Sequence, residues 1–95
     1  MYYVYVIKSK IKNWIYIGFT LDLRKRFQEH NLGKVRSTKS NRPFVFVYYE
    51  AYKNELDARK REIELKNNGQ QKEFLKDRIK NSLKIVSSQP TAGQP

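Results

Sequence analysis

The chain predicts an α+β fold, a small three-stranded antiparallel sheet flanked by about three helices. Three observations lead there. Residues 2–7 (YYVYVI) and 14–19 (WIYIGF) are β-branched and aromatic runs around the short polar stretch 10–13, the pattern of a hairpin. Residues 44–52 form a third run of the same kind. Between and after these runs, apolar residues recur at helical rather than strand spacing.

The hairpin sets Tyr5 and Tyr16 on neighbouring strands. Residues 21–31 are then amphipathic, with Leu23 and Phe27 four apart in a narrow apolar stripe. At about 100° per residue, Arg26 and His30 fall on one flank of that stripe, while Arg24, Lys25, Gln28 and Glu29 point to water. Gly33 is a helix stop, and residues 34–42 read as a polar, basic loop ended by Pro43. Asn54 suits the N-cap of a second helix running to about Asn68, with Glu55 and Asp57 at the positive end of its dipole. Leu56, Ala58, Ile63 and Leu65 define a broad inward arc on this helix, which encloses Glu62 and leaves out Asp57 and Glu64. Gly69 breaks the chain before a third helix, Gln70 to about Leu83, docked through Phe74, Leu75 and Ile79. Residues 1–86 make one domain, and the Ser, Gln, Pro, Thr and Gly of 87–95 predict a disordered tail.

Ninety-five residues support one modest core, not two. Twenty Lys and Arg stand against 9 Asp and Glu, a formal net charge of +11. Such an excess attracts polyanions, and nucleic acid is the first of these. An anionic membrane surface is the competing partner, but no apolar stretch approaches the roughly twenty residues that span a bilayer. The N-terminal residues are charge-free and strand-like, unlike a signal peptide. No cysteine is present, so there are no disulfides or thiolate metal sites, and one histidine argues against a multi-histidine zinc centre. The expected location is the cytoplasm.

The chemistry-bearing residues occur in a particular order. Tyr3-Val4-Tyr5 is followed by Tyr16-Ile17-Gly18, then by Thr20-x-Asp22-Leu23-x-x-Arg26-x-x-x-His30-Asn31-x-Gly33-Lys34. Arg42-Pro43-Phe44, Val47-Tyr48-Tyr49-Glu50 and Ala58-Arg59-Lys60-Arg61-Glu62 complete the series. From Tyr2 to about Lys66 this order resembles the GIY-YIG nuclease family. The closer likeness is to its small stand-alone branch, similar to the N-terminal nuclease domain of the bacterial excinuclease C subunit. Tyrosine stands where the family name has its first glycine, a variation common in that branch.

The resemblance implies a metal-dependent endonuclease that hydrolyses phosphodiester bonds in DNA, with structure-specific or repair-related cleavage. It implies Tyr5 as the phenol beside the attacking water, His30 assisting it, and Tyr16 positioning phosphate or water. Nearby cations should lower the Tyr5 pKa. Arg26 suits phosphate because its planar fork binds two oxygens at once. Glu62 is the candidate ligand of one divalent cation, Mg²⁺ or Mn²⁺, since Mg²⁺ often takes only one or two protein carboxylates. Gly18 keeps space open beside the tyrosines, or else marks a bulge or close helix packing.

For nucleic-acid binding, Gly18, Arg24, Lys25, Lys34, Arg36, Lys39 and Arg42 are the candidate contacts. Backbone contacts of this kind position a substrate without specifying sequence. Branched, nicked, damaged or single-stranded DNA and RNA all remain candidate substrates, and targeting is left to a partner protein. The family's late supporting asparagine stays unassigned among Asn67, Asn68 and Asn81. The alternative reading is a non-catalytic nucleic-acid-binding module with the same fold.

Overall fold

A computed structural model describes residues 1–84. Strands β1 (Tyr2–Ser9), β2 (Ile15–Thr20) and β3 (Phe44–Tyr52) form one antiparallel sheet in the order β2-β1-β3. Helix α1 (Leu23–Asn31) follows the hairpin, α2 (Glu55–Asn67) follows β3, and α3 (Gly69–Arg78) and α4 (Lys80–Leu83) close the described chain. The fold is α+β, as the sequence predicts. The tail expected over 87–95 lies outside the described residues.

The central strand has two faces. Val4 and Val6 pack with Ile17, Ala58, Leu65, Leu75 and Ile79 beneath α2 and α3. Tyr5 and Ile7 pack with Phe44 on the other face, against Trp14, Tyr16, Leu23, Phe27 and Phe46. A bulge shapes β3: Val6 pairs with Tyr48 and Ile7 with Phe46, so Val47 is the extra residue. It leaves Phe44 and Phe46 on the α1 face and turns Tyr48, Glu50 and Tyr52 toward α2. There Glu50 accepts hydrogen bonds from Tyr48 (2.6 Å), Tyr52 (2.5 Å) and Arg61 Nε (2.9 Å), tying α2 to the sheet.

Local chemistry sets the helix ends. The Asp22 side chain accepts from the Lys25 amide at 3.1 Å, and Gly33 ends α1 at φ +77°, where a side chain would be strained. Asn54 caps α2 as expected, but the break after α2 falls on Asn68. Asn68 is extended and its side chain caps α3, so Gly69 is the first residue of the helix rather than the breaker. The third helix is also interrupted at Ile79.

The expected inward arc of α2 is too broad. Ala58 and Leu65 are fully buried, with Arg61 and Glu62 half-buried between them, whereas Leu56 and Ile63 are exposed. Relative to Ala58, Glu62 is about 40° round the helix, but Leu56 and Ile63 are about 140–160° round and face solvent. Phe74 is likewise exposed, because α3 docks through Leu75 and Ile79 at i, i+4 alone. Among the described residues, no helix is long and apolar enough to cross a membrane.

Candidate active site

Tyr5 is on the central strand, and its ring crosses sideways over Gly18, its partner on β2. A β-carbon at Gly18 would collide with Tyr5 Cζ and the phenol oxygen. The glycine is therefore explained by passage of a ring, not by a bulge, and it is itself buried. Tyr16 pairs with Ile7 on the same face, and its ring lies 6.4 Å from that of Tyr5.

His30 lies one helical turn beyond the Leu23 and Phe27 stripe and is fully buried. Its ring meets the edges of Tyr5, Tyr16 and Phe44 at centroid separations of 5.7, 5.2 and 5.9 Å. The Tyr5 hydroxyl is 2.7 Å from His30 Nε2, and His30 Nδ1 is 2.7 Å from Thr38 Oγ1. Thr38 comes from the loop after α1, and it too is fully buried. That loop is not simply solvated, since Val35 is buried with it and Lys39–Asn41 form a short 3-10 turn.

Burial pushes the Tyr5 phenol up to about 12, although the neighbouring Arg26 guanidinium works against the rise. The expectation that cations would lower this pKa is therefore reversed: Arg26 acts in the expected direction, but loss of water outweighs it. At neutral pH roughly one phenol in 10⁵ would be ionised. Burial, reinforced by Arg26, pushes His30 down to about 4. The pair is thus a neutral phenol on a neutral imidazole.

Arg26 is partly buried beside Tyr5 and forms a 3.0 Å ion pair with Glu29. By helical phase Glu29 should point into water, and instead it shares the flank of Arg26. Glu62 reaches the same region from α2, close enough for its charge to oppose ionisation of Tyr5. Its side chain is only 14% exposed, and it pairs with Lys66 at 3.0 Å and Arg59 at 3.7 Å. Lys66 Nζ stands 5.3 Å over the Tyr16 ring, and Arg59 lies 3.6 Å over the Phe19 ring. Both cations thus hold the carboxylate at the β2 edge. No group of three His, Cys, Asp or Glu is gathered among the described residues. A lone half-buried carboxylate still fits a hard cation that keeps most of its waters, as Mg²⁺ does.

Tyr5, Tyr16, Arg26, His30 and Glu62 are therefore brought together, while the candidate nucleic-acid contacts divide. Arg36, Lys39 and Arg42, with Ser40, line one cleft of about 490 Å³. Lys25 shares a second cleft with Phe19, Thr20, Asp22, Arg26 and Glu29, directly beside the cluster. Arg24 borders an apolar groove with Leu23, Phe27 and Phe46, and Lys34 is exposed. Gly18, buried under Tyr5, makes room rather than offering surface. Asn67, Asn68 and Asn81 are all exposed, and Asn68 serves as the α3 cap. The asparagine that does organise the site is Asn31. Its side chain accepts from the Phe44 amide at 2.7 Å and donates to the Phe44 carbonyl at 3.4 Å, clamping α1 to β3.

This sheet, with its paired tyrosines and a helix-borne arginine and histidine, defines a class. The GIY-YIG catalytic domain matches residues 1–75, and the chain belongs to that family. Among its relatives are UPF0213 proteins of staphylococci. The protein SH2523 of Staphylococcus haemolyticus is 38% identical over 74 residues, covering 77% of this chain and 89% of the relative. SSP2268 of Staphylococcus saprophyticus is 37% identical over the same shares. The solution NMR structure of the UPF0213 protein BH0048 from Bacillus halodurans shares the fold, with a TM-score of 0.53 at 24% identity. That likeness covers 93% of this chain and 98% of the other.

Proposed function

We propose that this protein is a metal-dependent endonuclease that hydrolyses phosphodiester bonds in DNA. The observation that carries the reading is the Tyr5 hydroxyl set 2.7 Å from a buried, neutral His30, with Arg26 and Glu62 beside it. A buried packing tyrosine would also need an acceptor; what favours catalysis is that the acceptor is an imidazole and that an arginine and a carboxylate act on the same phenol.

In the proposed reaction a water oxygen bonds to phosphorus as one P–O ester bond breaks. Tyr5 takes the water's proton while giving its own to His30 Nε2. With the phenol near 12 and the imidazole near 4, a preformed phenolate is not the base. The proton must move through Tyr5 as the new bond forms, and His30 is its end point. Arg26 offers fixed donors to the phosphate oxygens where charge builds. Tyr16, on the neighbouring strand, orients water or phosphate against Tyr5. A divalent cation on Glu62 would stabilise that charge and hold the leaving oxygen. Arg36, Lys39 and Arg42 bind backbone phosphates further along the strand.

Glu62→Gln keeps size and removes the cation's ligand, and Tyr5→Phe keeps the ring and deletes the oxygen. On branched and single-stranded DNAs with Mg²⁺ or Mn²⁺, both variants should fold and bind DNA like wild type. Cleavage should fall at least ~10²–10⁴-fold for Tyr5→Phe, the usual worth of a general base, and by several powers of ten for Glu62→Gln. Equal turnover in all three proteins, or none in any, refutes the catalytic reading and leaves a binding module.

A further inference from the structure

The proposed mechanism uses only one nitrogen of His30. The other points at a fully buried hydroxyl for which the reaction as written has no role. From this we propose that Thr38 is a positioning residue that holds His30 in its Nδ1–H tautomer, leaving Nε2 bare to receive the proton of Tyr5.

The direction of the hydrogen-bond chain follows from its two ends. At one end stands Arg26, whose guanidinium can only donate and faces the Tyr5 oxygen. Tyr5 is 2% exposed, so its own O–H must find a protein acceptor, and His30 Nε2 at 2.7 Å is the one in place. At the other end stands the Val35 carbonyl, which can only accept and lies 3.4 Å from Thr38 Oγ1. The Thr38 proton turns toward that carbonyl, and its oxygen then accepts from His30 Nδ1–H at 2.7 Å.

Reversing the chain would require Nε2–H to donate to Tyr5. The buried phenol proton would then be left without an acceptor, so its lost hydration would go uncompensated. It would also block the relay, because a protonated Nε2 cannot take the proton that Tyr5 must shed. The tautomer is thus decided by a residue that touches neither water nor phosphate. Thr38 lies between Arg36 and Lys39, so the loop proposed to bind phosphate also carries the group that sets the base.

This inference rests on the proposed nuclease reading for its purpose but not for its test. His30 is the only histidine, so a long-range ¹H–¹⁵N correlation spectrum of the labelled full chain holds one imidazole. At neutral pH, Nδ1 should give a protonated-type signal with a slowly exchanging proton near the Thr38 methyl, and Nε2 a lone-pair-type signal. A protonated Nε2, or an Nδ1 without its proton, overturns the proposal whatever the protein cleaves.

Thr38→Val keeps the shape and deletes the acceptor, so the Nε2 signal should move toward the protonated type. Thr38→Ser should restore it, and an unchanged pattern in folded Thr38→Val also overturns the proposal. If the valine variant does not fold, the wild-type spectrum and the serine variant decide the same question. Cleavage by Thr38→Val should fall more than about tenfold, with the ~10²–10⁴-fold worth of the general base as the upper limit.

Discussion

Lowering the pH from about 7.5 to 5 should destabilise this protein through one side chain, and the size of the loss can be worked out. His30 is fully buried among the rings of Tyr5, Tyr16 and Phe44, with the charges of Arg26 and Glu29 nearby. Its pKa is pushed from 6.5 to about 4, by burial first and by Arg26 second. A folded-state pKa below the unfolded one means that the unfolded chain takes up the proton first. The stabilisation is therefore complete above about 6.5 and is lost as the pH falls toward 4. At 1.36 kcal/mol per unit the whole effect is about 3 kcal/mol, of which about 2 kcal/mol is lost by pH 5. Urea unfolding at the two pH values measures the change, and NMR titration of the single imidazole assigns it. Glu50 adds nothing in this window: burial would raise its pKa, but Arg61, Tyr48 and Tyr52 overcome that and hold it below the usual range. Equal stability at both pH values, or a folded-state His30 titrating near 6.5, refutes the reasoning.

Gly18→Ala should cost about 1–3 kcal/mol, because a methyl group in the middle of β2 meets the Tyr5 ring and forces it off its rotamer. A melting curve reads the loss, and an unchanged Tyr5–His30 hydrogen bond in the variant's structure would show that the glycine is not there for the ring. DNA binding should weaken steeply with salt, since counterion release drives binding to phosphate. Replacing Lys34, Arg36 and Lys39 together should flatten the slope of log K against log salt by about one for each phosphate no longer neutralised, without changing the fold. A flat salt titration of the wild type rejects the basic loop as a phosphate site.

Strands and caps are legible in the sequence because they rest on short-range rules. β-Branched alternation marks β1 to β3, and Gly33 and Asn54 carry their helix ends in backbone freedom or their own side chains, whereas the Asp22 cap emerges only in the structure. The inward side of α1 can be read for the same reason, as His30 follows Leu23 and Phe27 at helical spacing. The face of α2 cannot. Its two buried apolar residues, Ala58 and Leu65, are outnumbered by charges, and the true stripe runs through Arg61 and Glu62. The bulge at Val47 is equally silent in sequence, yet it turns Glu50 and its two tyrosines toward α2. Thr38 sits in a loop without periodicity, where burial is set by what packs over it. The rise of the Tyr5 pKa escapes the sequence because a tally of neighbouring charges does not include loss of water.

Two partly buried carboxylates, Glu50 on β3 and Glu62 on α2, show how one scaffold separates structure from chemistry. Glu50 has every acceptor site engaged: two phenols and the Arg61 fork converge on it, at 2.5 to 3.2 Å. Such a group is a fastener, with nothing left to offer a cation or a proton. Among the described residues Glu62 is held only by Arg59 and Lys66 from its own helix, and their side chains are 49% and 40% exposed. Exposed i, i+3 and i, i+4 pairs are typically worth only a few tenths of a kcal/mol, so a divalent ion or a phosphate can displace them. The two glutamates are also linked, because Arg61, which Glu50 grips, is the residue immediately before Glu62 in α2. Anchoring Arg61 to β3 fixes the rotation of the helix and so aims Glu62 at the β2 edge beside Tyr16. The saturated carboxylate thus does the positioning, and the weakly held one is left available for the cation proposed above.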